Sequence, residues 1–276
     1  EHGKQILLAN KEAIICAGSL ILEKIKTSKS KIIPIDSEHN AIFQCLGKDY
    51  ECFTKPQNIN KIILTASGGP FRNWSDEQMK NASVQSALKH PNWKMGKKIS
   101  VDSATMMNKG LEILEAHWLF KLQNKEIDVI VHPESIIHSM VEFKDKSTLA
   151  QLSNPDMSVP IAFGLSWPVR GSNQIATINW NKTRQLSFYP VDINKFRAIK
   201  IARNILEEGP TAGMILNTAN EIAVEAFLLR KIHFLEITET VEKILEKMAK
   251  TFTCEIKSLA EIHELHKEIH RQFSLL

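Results

Sequence analysis

An α/β fold is expected: strands alternating with helices on a mixed sheet, then a segment of helix alone. Three observations point to it. Short apolar runs recur at 4–9, 31–35, 61–65 and 127–132, the last three rich in β-branched residues; they have strand length and polar or turn-forming borders. Amphipathic stretches separate the early runs, as β–α alternation requires. Beyond residue 195 only helical periodicity remains, in four stretches with short connections that read as a small bundle.

Composition sets the bounds. The 276 residues are enough for two compact units. A net charge of +4 suits a small anionic substrate and is too weak to argue for nucleic acid. Cys16, Cys45, Cys52 and Cys254 lack CxxC spacing and read as reduced residues, neither a disulfide framework nor a zinc site. No run of about 18 uncharged apolar residues argues for a membrane span. No leader segment is visible, and the opening residues read as the tail of a longer domain.

Taken in order, the strand at 4–9 ends in Asn10, Lys11 and Glu12, and a helix follows with Ile14, Ile15, Leu22 and Ile25 on its apolar positions and Gly18 as a weak point. The strand at 31–35 delivers Asp36, Ser37, Glu38 and His39 at its C-terminal end, where open α/β sheets bind ligands. If the backbone stays extended, Asp36 and Glu38 point the same way and need a cation or a proton between them. A hard divalent ion such as Mg2+ or Mn2+ takes oxygen ligands of this kind, with Glu112 as a third. Alternatively, Asp36 or Ser37 simply caps a helix through Ala41 to Leu46.

After an irregular stretch at 46–60, the strand at 61–65 runs into Ala66-Ser67-Gly68-Gly69-Pro70-Phe71. This is either a loop that lets backbone and the Ser67 hydroxyl approach a phosphate, or a plain tight turn. A single polar helix is expected over 74–88, started by Ser75. The loop 91–96, with Trp93 and Met95 beside Gly96, is either a mobile lid or a surface-packed segment.

The stretch 90–112, HPNWKMGKKISVDSATMMNKGLE, carries the densest chemistry. Asp102 or Ser103 is expected as the N-cap of a helix whose buried face is Met107, Leu111, Leu114 and Trp118. Ser103, Asn108 and Lys109 would then lie in its first turns, where free N–H groups and the helix dipole favour an anion. Asn108 and Glu112 are one turn apart and can reach one point. The expectation is a phosphate at the helix mouth and a divalent metal further in; an ordinary amphipathic helix behind a basic loop is the alternative.

A strand at 127–132 leads to His132 and His138, each more often structural than catalytic. Residues 140–143 and 148–152 form a hairpin around Lys144-Asp145-Lys146-Ser147, an edge suited to dimerisation. A short apolar helix reaches Trp167-Pro168. Residues 169–195 lack periodicity and read as a linker. The helical remainder comprises 196–208, 214–229, about 236–249 and 256–272. In the last of these, His263, His266 and His270 share a face with Glu261, Glu264 and Glu268 nearby, a pattern open to a metal, but Ile262, Leu265 and Ile269 run beside them, so the histidines are read as a solvated flank of a buried seam and not as a metal site.

With these residues assembled, segments 7–12, 34–46, 67–72, 90–112, 131–143, 155–157 and 217–228 resemble the 1-deoxy-D-xylulose 5-phosphate reductoisomerase family over essentially the whole chain. The resemblance implies conversion of that sugar phosphate into 2-C-methyl-D-erythritol 4-phosphate in non-mevalonate isoprenoid synthesis, with NADPH and Mg2+, Mn2+ or Co2+. It implies metal ligands Asp36, Glu38 and Glu112, and substrate-phosphate residues Ser67, His90, Ser103, Asn108 and Lys109. Lys11 and Ser37 match further substrate contacts, Asn10, Glu12 and Gly96 match positions near the cofactor, and Trp93 lies in a segment like the family's active-site flap. Lys11 and the three carboxylates are the expected catalytic set. By this resemblance residues 1–35 close a Rossmann-like NADPH domain, 36–168 form the catalytic domain with its dimerisation sheet, 169–195 the linker and 196–276 the bundle.

The family opens with a Gly-rich phosphate turn of the GxTGxxG kind, and nothing here resembles it. These 276 residues by themselves are therefore expected to hold NADPH poorly and turn over little. A homodimer in the bacterial cytoplasm is expected, with a plastid-like organelle as the alternative, and no nucleic-acid or membrane partner. The rival readings are a metal-dependent sugar-phosphate isomerase or aldolase without nicotinamide, and a non-catalytic assembly module. The carboxylate and lysine set counts against the last, since a scaffold needs none of it.

Overall fold

The computed structural model describes residues 2–93, 95–183 and 185–273. Lys94 of the expected loop and Arg184 of the expected linker lie outside the described residues, as do 1 and 274–276. The fold is α/β with a mixed sheet, and the chain divides into two compact units, each discontinuous in sequence. One comprises Glu1–Lys11, Leu22–Ser67 and Ala116–Val191; the other comprises Glu12–Ile21, Gly68–Glu115 and Asp192–Leu276.

In the first unit β1 (Gln5–Leu8) pairs in parallel with β2 (Lys31–Pro34), Ile6 opposite Ile32 and Leu8 opposite Pro34. The connection runs through α1 (Lys11–Thr27), which breaks at Ala17 (φ −128, ψ 19), one residue before the expected weak point. The backbone turns into α2 (Ser37–Leu46) directly after Asp36, so the extended path assumed for Asp36 and Glu38 is not followed; Glu38 lies in the first turn of a helix. Asp36 occupies the N-cap position without its side chain capping the helix. The tie is made instead by Asn40, whose Nδ2 donates to Pro34 O at 2.8 Å, fixing α2 to the end of β2.

The main sheet has five strands in the order β6-β5-β3-β4-β7 among the described residues. β3 (Ile59–Ala66) is its centre, parallel to β4 (Ile127–Val131) and antiparallel to β5 (Ile137–Phe143). The expected hairpin is β5 with β6 (Thr148–Leu152), and β6 is a sheet edge. α7 (Ser158–Ser166) packs so closely that a Cβ at Gly164 would stand 2.6 Å from Ile35 Cδ1. Within the stretch read as a linker, Tyr189–Pro190 forms β7 and pairs with Ile130 and Val131, extending the sheet by an edge that no local pattern announces.

In the second unit the helix expected over 74–88 is two. α3 (Asp76–Lys80) starts at a Ser75 capping box, and α4 (Val84–Ala87) starts at Ser83, whose hydroxyl accepts from Ser86 N. A second capping serine competes with continuation of the first helix. The central stretch also differs from its reading. α5 (Lys97–Thr105) begins after Gly96, so Asp102 and Ser103 lie inside it and cap nothing. Met106 then turns left-handed (φ 63), and α6 (Met107–Phe120) begins, with Met107 N donating to Thr105 Oγ1 at 3.2 Å. Ser103 therefore sits in the last turn of α5, whereas Asn108 and Lys109 do open α6.

The rest of this unit is helical: α8 (Arg197–Ile205), α9 (Ala212–Leu228), α10 (Glu236–Met248) and α11 (Leu259–Phe273). Its core joins Met107, Leu111 and Leu114 of α6 to Ile201 and Ile205 of α8, Ile215 and Phe227 of α9, Ile237 and Ile244 of α10 and Ile269 and Phe273 of α11. α9 is buried along most of its length, which fits its largely apolar sequence; Asn217, Asn220, Glu221 and Glu225 are among its polar exceptions.

Candidate active-site clusters

The first unit carries Asn10, Lys11, Asp36, Ser37, Glu38 and Ser67 of the expected site. Lys11, at the mouth of α1 and almost fully buried, places Nζ 2.8 Å from Asp36 Oδ2. His39, wholly buried and stacked on Phe120, brings Nδ1 to 3.8 Å from the same oxygen. Burial opposes ionisation of Asp36, but the Lys11 ammonium and the His39 ring outweigh it and hold the carboxyl well below the usual carboxylate range. Ser37 Oγ donates to Glu38 Oε2. Ser67 is half-buried just past β3.

Two histidines have structural partners. His132 Nε2 accepts from the backbone amides of Ile136 and Ile137 (3.2 and 3.1 Å), so the neutral ring donates through Nδ1 to Ser187 O at 2.9 Å. His138 Nε2 lies 2.9 Å from Ser153 Oγ, and burial pulls its pKa down against the opposing pull of the Glu38 carboxylate.

The second unit carries Glu12, His90, Trp93, Gly96, Ser103, Asn108, Lys109 and Glu112. The first two turns of α6 gather Asn108, Lys109 and Glu112. Asn108 Nδ2 donates to Glu112 Oε1 at 2.5 Å, and Lys109 Nζ donates to Glu112 Oε2, with Lys109 and Glu112 both buried. His90 Nδ1 accepts from the backbone amides of Asn92 and Trp93 at 3.1 and 2.9 Å, so the neutral ring carries its proton on Nε2. Trp93 is half-buried. Gly69 is held at φ +67 with its Cβ position 2.5 Å from Ser103 O, so the turn after β3 and the end of α5 approach as closely as only glycine permits.

A network that sequence reasoning missed lies beside these residues. Lys98 Nζ reaches Glu12 Oε1 at 2.9 Å and Asp102 Oδ2 at 3.1 Å, and Asn220 Nδ2 of α9 donates to Asp102 Oδ1 at 2.7 Å. Burial disfavours the Lys98 ammonium, yet Asp102 and Glu12 prevail and raise its pKa. The available signal was Asn220, a polar residue amid the buried positions of 217–228.

As donors, Asp36, Glu38 and Glu112 offer carboxylate oxygens, the ligands a hard divalent cation takes. Asp36 is held ionised and Glu112 faces an ammonium, so this donor chemistry fits such an ion.

Comparison with known proteins agrees with this chemistry. A model described as 1-deoxy-D-xylulose 5-phosphate reductoisomerase C-terminal domain matches residues 32–120, and a model described as DXP reductoisomerase C-terminal domain matches 152–272. The chain is 47% identical over 271 residues to the 1-deoxy-D-xylulose 5-phosphate reductoisomerase of Pelodictyon phaeoclathratiforme, covering 98% of this chain and 70% of that protein. To the Clostridium tetani enzyme of the same name it is 49% identical over 266 residues, covering 96% and 67%. A crystal structure of DOX-P reductoisomerase in complex with NADPH, fosmidomycin and magnesium superposes with a TM-score of 0.93 at 43% identity, covering 99% of this chain and 70% of that one. The Zymomonas mobilis reductoisomerase in complex with NADPH gives 0.87 at 41% identity, covering 99% and 69%. Fold and likeness together define an α/β enzyme of the oxidoreductase class. The chain belongs to the 1-deoxy-D-xylulose 5-phosphate reductoisomerase family.

Proposed function

We propose that the chain carries the catalytic and C-terminal parts of an enzyme that rearranges and reduces 1-deoxy-D-xylulose 5-phosphate to 2-C-methyl-D-erythritol 4-phosphate, with NADPH and Mg2+ or Mn2+, in the non-mevalonate route to isoprenoids. Relatives of this name share nearly half its residues, and one similar structure holds NADPH and magnesium. The observation that carries the reading is the pairing of carboxylates with buried lysines, Lys11 on the half-buried Asp36 and Lys109 on the buried Glu112. Such pairs are costly to bury and weak as stabilisers, so function is the better account of them.

Asp36, Glu38 and Glu112 would hold the metal, which when bound supplies Lewis acidity at the substrate's oxygens. Lys11 stands beside Asp36 and Ser37 beside Glu38, as donors that fix the substrate's reacting end. Ser67, Ser103, Asn108, Lys109 and the Nε2–H of His90 are the donors for the substrate phosphate. Gripping that remote anion supplies binding energy that orients the reacting carbons and draws the Trp93 segment shut to exclude water. Asn10, Glu12 and Gly96 lie toward NADPH, which supplies the hydride; Lys98 holds the Glu12 carboxylate in place.

In this reading β1, α1 and β2 close a Rossmann-like dinucleotide-binding domain, and α8 to α11 form the four-helix bundle. The β6 edge, with Leu149 exposed, joins two copies as a dimer. No helix among the described residues is long and apolar enough to cross a membrane; with bacterial relatives, the cytoplasm is the proposed compartment.

The test is NADPH consumption by the intact protein, dependent on 1-deoxy-D-xylulose 5-phosphate and Mg2+. Glu112→Gln should lower kcat at least about a hundredfold, the scale of losing transition-state charge stabilisation. Lys109→Ala should raise KM for the substrate. Turnover indifferent to metal, or wild-type kinetics for Glu112→Gln, would refute the proposal.

A further inference from the structure

The last helix holds a cluster that the reductoisomerase reading leaves unused. His266 and His270 are one turn apart on α11, with ring centroids 4.5 Å apart. Glu221 on α9 faces them, its Oε2 3.2 Å from His266 Nε2. One ligand atom from each residue lies within 4.8 Å of the others. His263, on the same helix, stays exposed and takes no part.

We propose that Glu221, His266 and His270 form a second divalent-metal site, for a zinc-class ion. The donor set is two imidazole nitrogens and one carboxylate, which suits Zn2+ and its neighbours Co2+ and Ni2+ over Mg2+. Two histidines four residues apart on one helix face are a recurrent way of presenting nitrogens to zinc. With bonds of about 2.0–2.1 Å, ligand atoms in a tetrahedral site stand about 3.3 Å apart. The His266–Glu221 separation of 3.2 Å already matches this edge, and a side-chain rotation brings in the third ligand.

Two further observations fit a metal better than a chance ion pair. His270 Nε2 is shut off from solvent and has no hydrogen-bond partner among the described residues, an arrangement that costs free energy unless something coordinates it. Glu221 has an outer support: Asn217 Nδ2 donates to its Oε1 at 3.0 Å, leaving Oε2 for a ligand role. Entry is open, since the side chains of His266 and Glu221 are 41% and 33% exposed. The bound ion would clamp α11 onto α9.

The test uses the chain with Asp36→Asn and Glu112→Gln, which disable the proposed catalytic metal set, titrated with Zn2+ by calorimetry. The expected result is one equivalent bound, a melting temperature that rises with Zn2+, and no response to Mg2+ at the same concentration. Adding His266→Ala or Glu221→Gln should weaken binding at least about tenfold; both positions are partly exposed and tolerate substitution. His266→Ala in the otherwise unmodified protein should leave Mg2+-dependent turnover as it was. Absence of Zn2+ binding, or unchanged affinity in both variants, would overturn the proposal. If the doubly substituted chain does not fold, anomalous scattering at the zinc edge from the unmodified protein decides. A peak among the three side chains supports the site, and a zinc-soaked crystal without one there refutes it.

Discussion

Replacing Asp102 by Ala should destabilise the second unit by about 3 kcal/mol, and the loss should be shared with Asn220. The carboxylate is 1% exposed and accepts from Lys98 and from Asn220, itself fully buried. Removing it strands the Asn220 amide without an acceptor, which costs about 1–3 kcal/mol. Lys98 keeps Glu12 at 2.9 Å and its side chain is 30% exposed, so the ionic part of the loss is screened and amounts to about 1 kcal/mol or less. Asn220→Ala should cost about 2 kcal/mol, since a hydrogen bond to a charged acceptor is lost. Because both variants break one bond, the pair should cost less than the two single losses combined, by about 1–2 kcal/mol. Urea unfolding of the four proteins of this cycle measures the coupling. Additivity within about 0.5 kcal/mol, the behaviour of independent sites, would refute the account of this network.

Other consequences are as direct. Gly69→Ala should destabilise by more than about 2 kcal/mol in thermal denaturation, because the left-handed backbone disfavours Ala by about 1–2 kcal/mol and its Cβ would also meet Ser103 O at 2.5 Å. Burial, helped by the Glu221 and Glu12 carboxylates, pushes the Cys16 thiol up to about 12, and burial pushes Cys45 up to about 11. The folded state holds these protons after the unfolded chain has released them. Their contribution to stability is therefore full below about pH 8.5 and is lost as pH rises through the folded-state values, so the urea midpoint should fall steadily on that side. For the same reason mass spectrometry after mild alkylation at neutral pH should find the exposed Cys254 modified well before Cys16. Leu149→Lys on the β6 edge should weaken the proposed dimer at least about tenfold by light scattering; an unchanged dimer would place the interface elsewhere.

Much of this fold is written locally. The β-branched runs at 31–35 and 127–132 are strands, and the hairpin of β5 and β6 follows from its turn residues. What stayed hidden depends on distant partners. Asp102 looks like an N-cap in sequence; its role inside α5 is set by Asn220, 118 positions away. The break between α5 and α6 falls on Met106 in a left-handed conformation, which no residue preference announces for methionine. β7 exists because Tyr189 and Pro190 meet β4; two residues, one of them a proline that disfavours strands, announce no strand by themselves. Segments 12–21 and 68–115 belong with 192–276 in one unit, a grouping that periodicity along the chain cannot express. Of the expected site, the Asn108–Glu112 pair was legible from helical spacing, whereas the Lys11–Asp36 pair required knowing that β1 and β2 are neighbours.

Calorimetric titration of Mn2+ into the chain and into its Asp36→Asn, Glu38→Gln and Glu112→Gln variants bears most directly on the central claim. One site whose affinity drops at least about tenfold in each of the three variants is the predicted result. Mn2+ affinity that survives all three substitutions would contradict it.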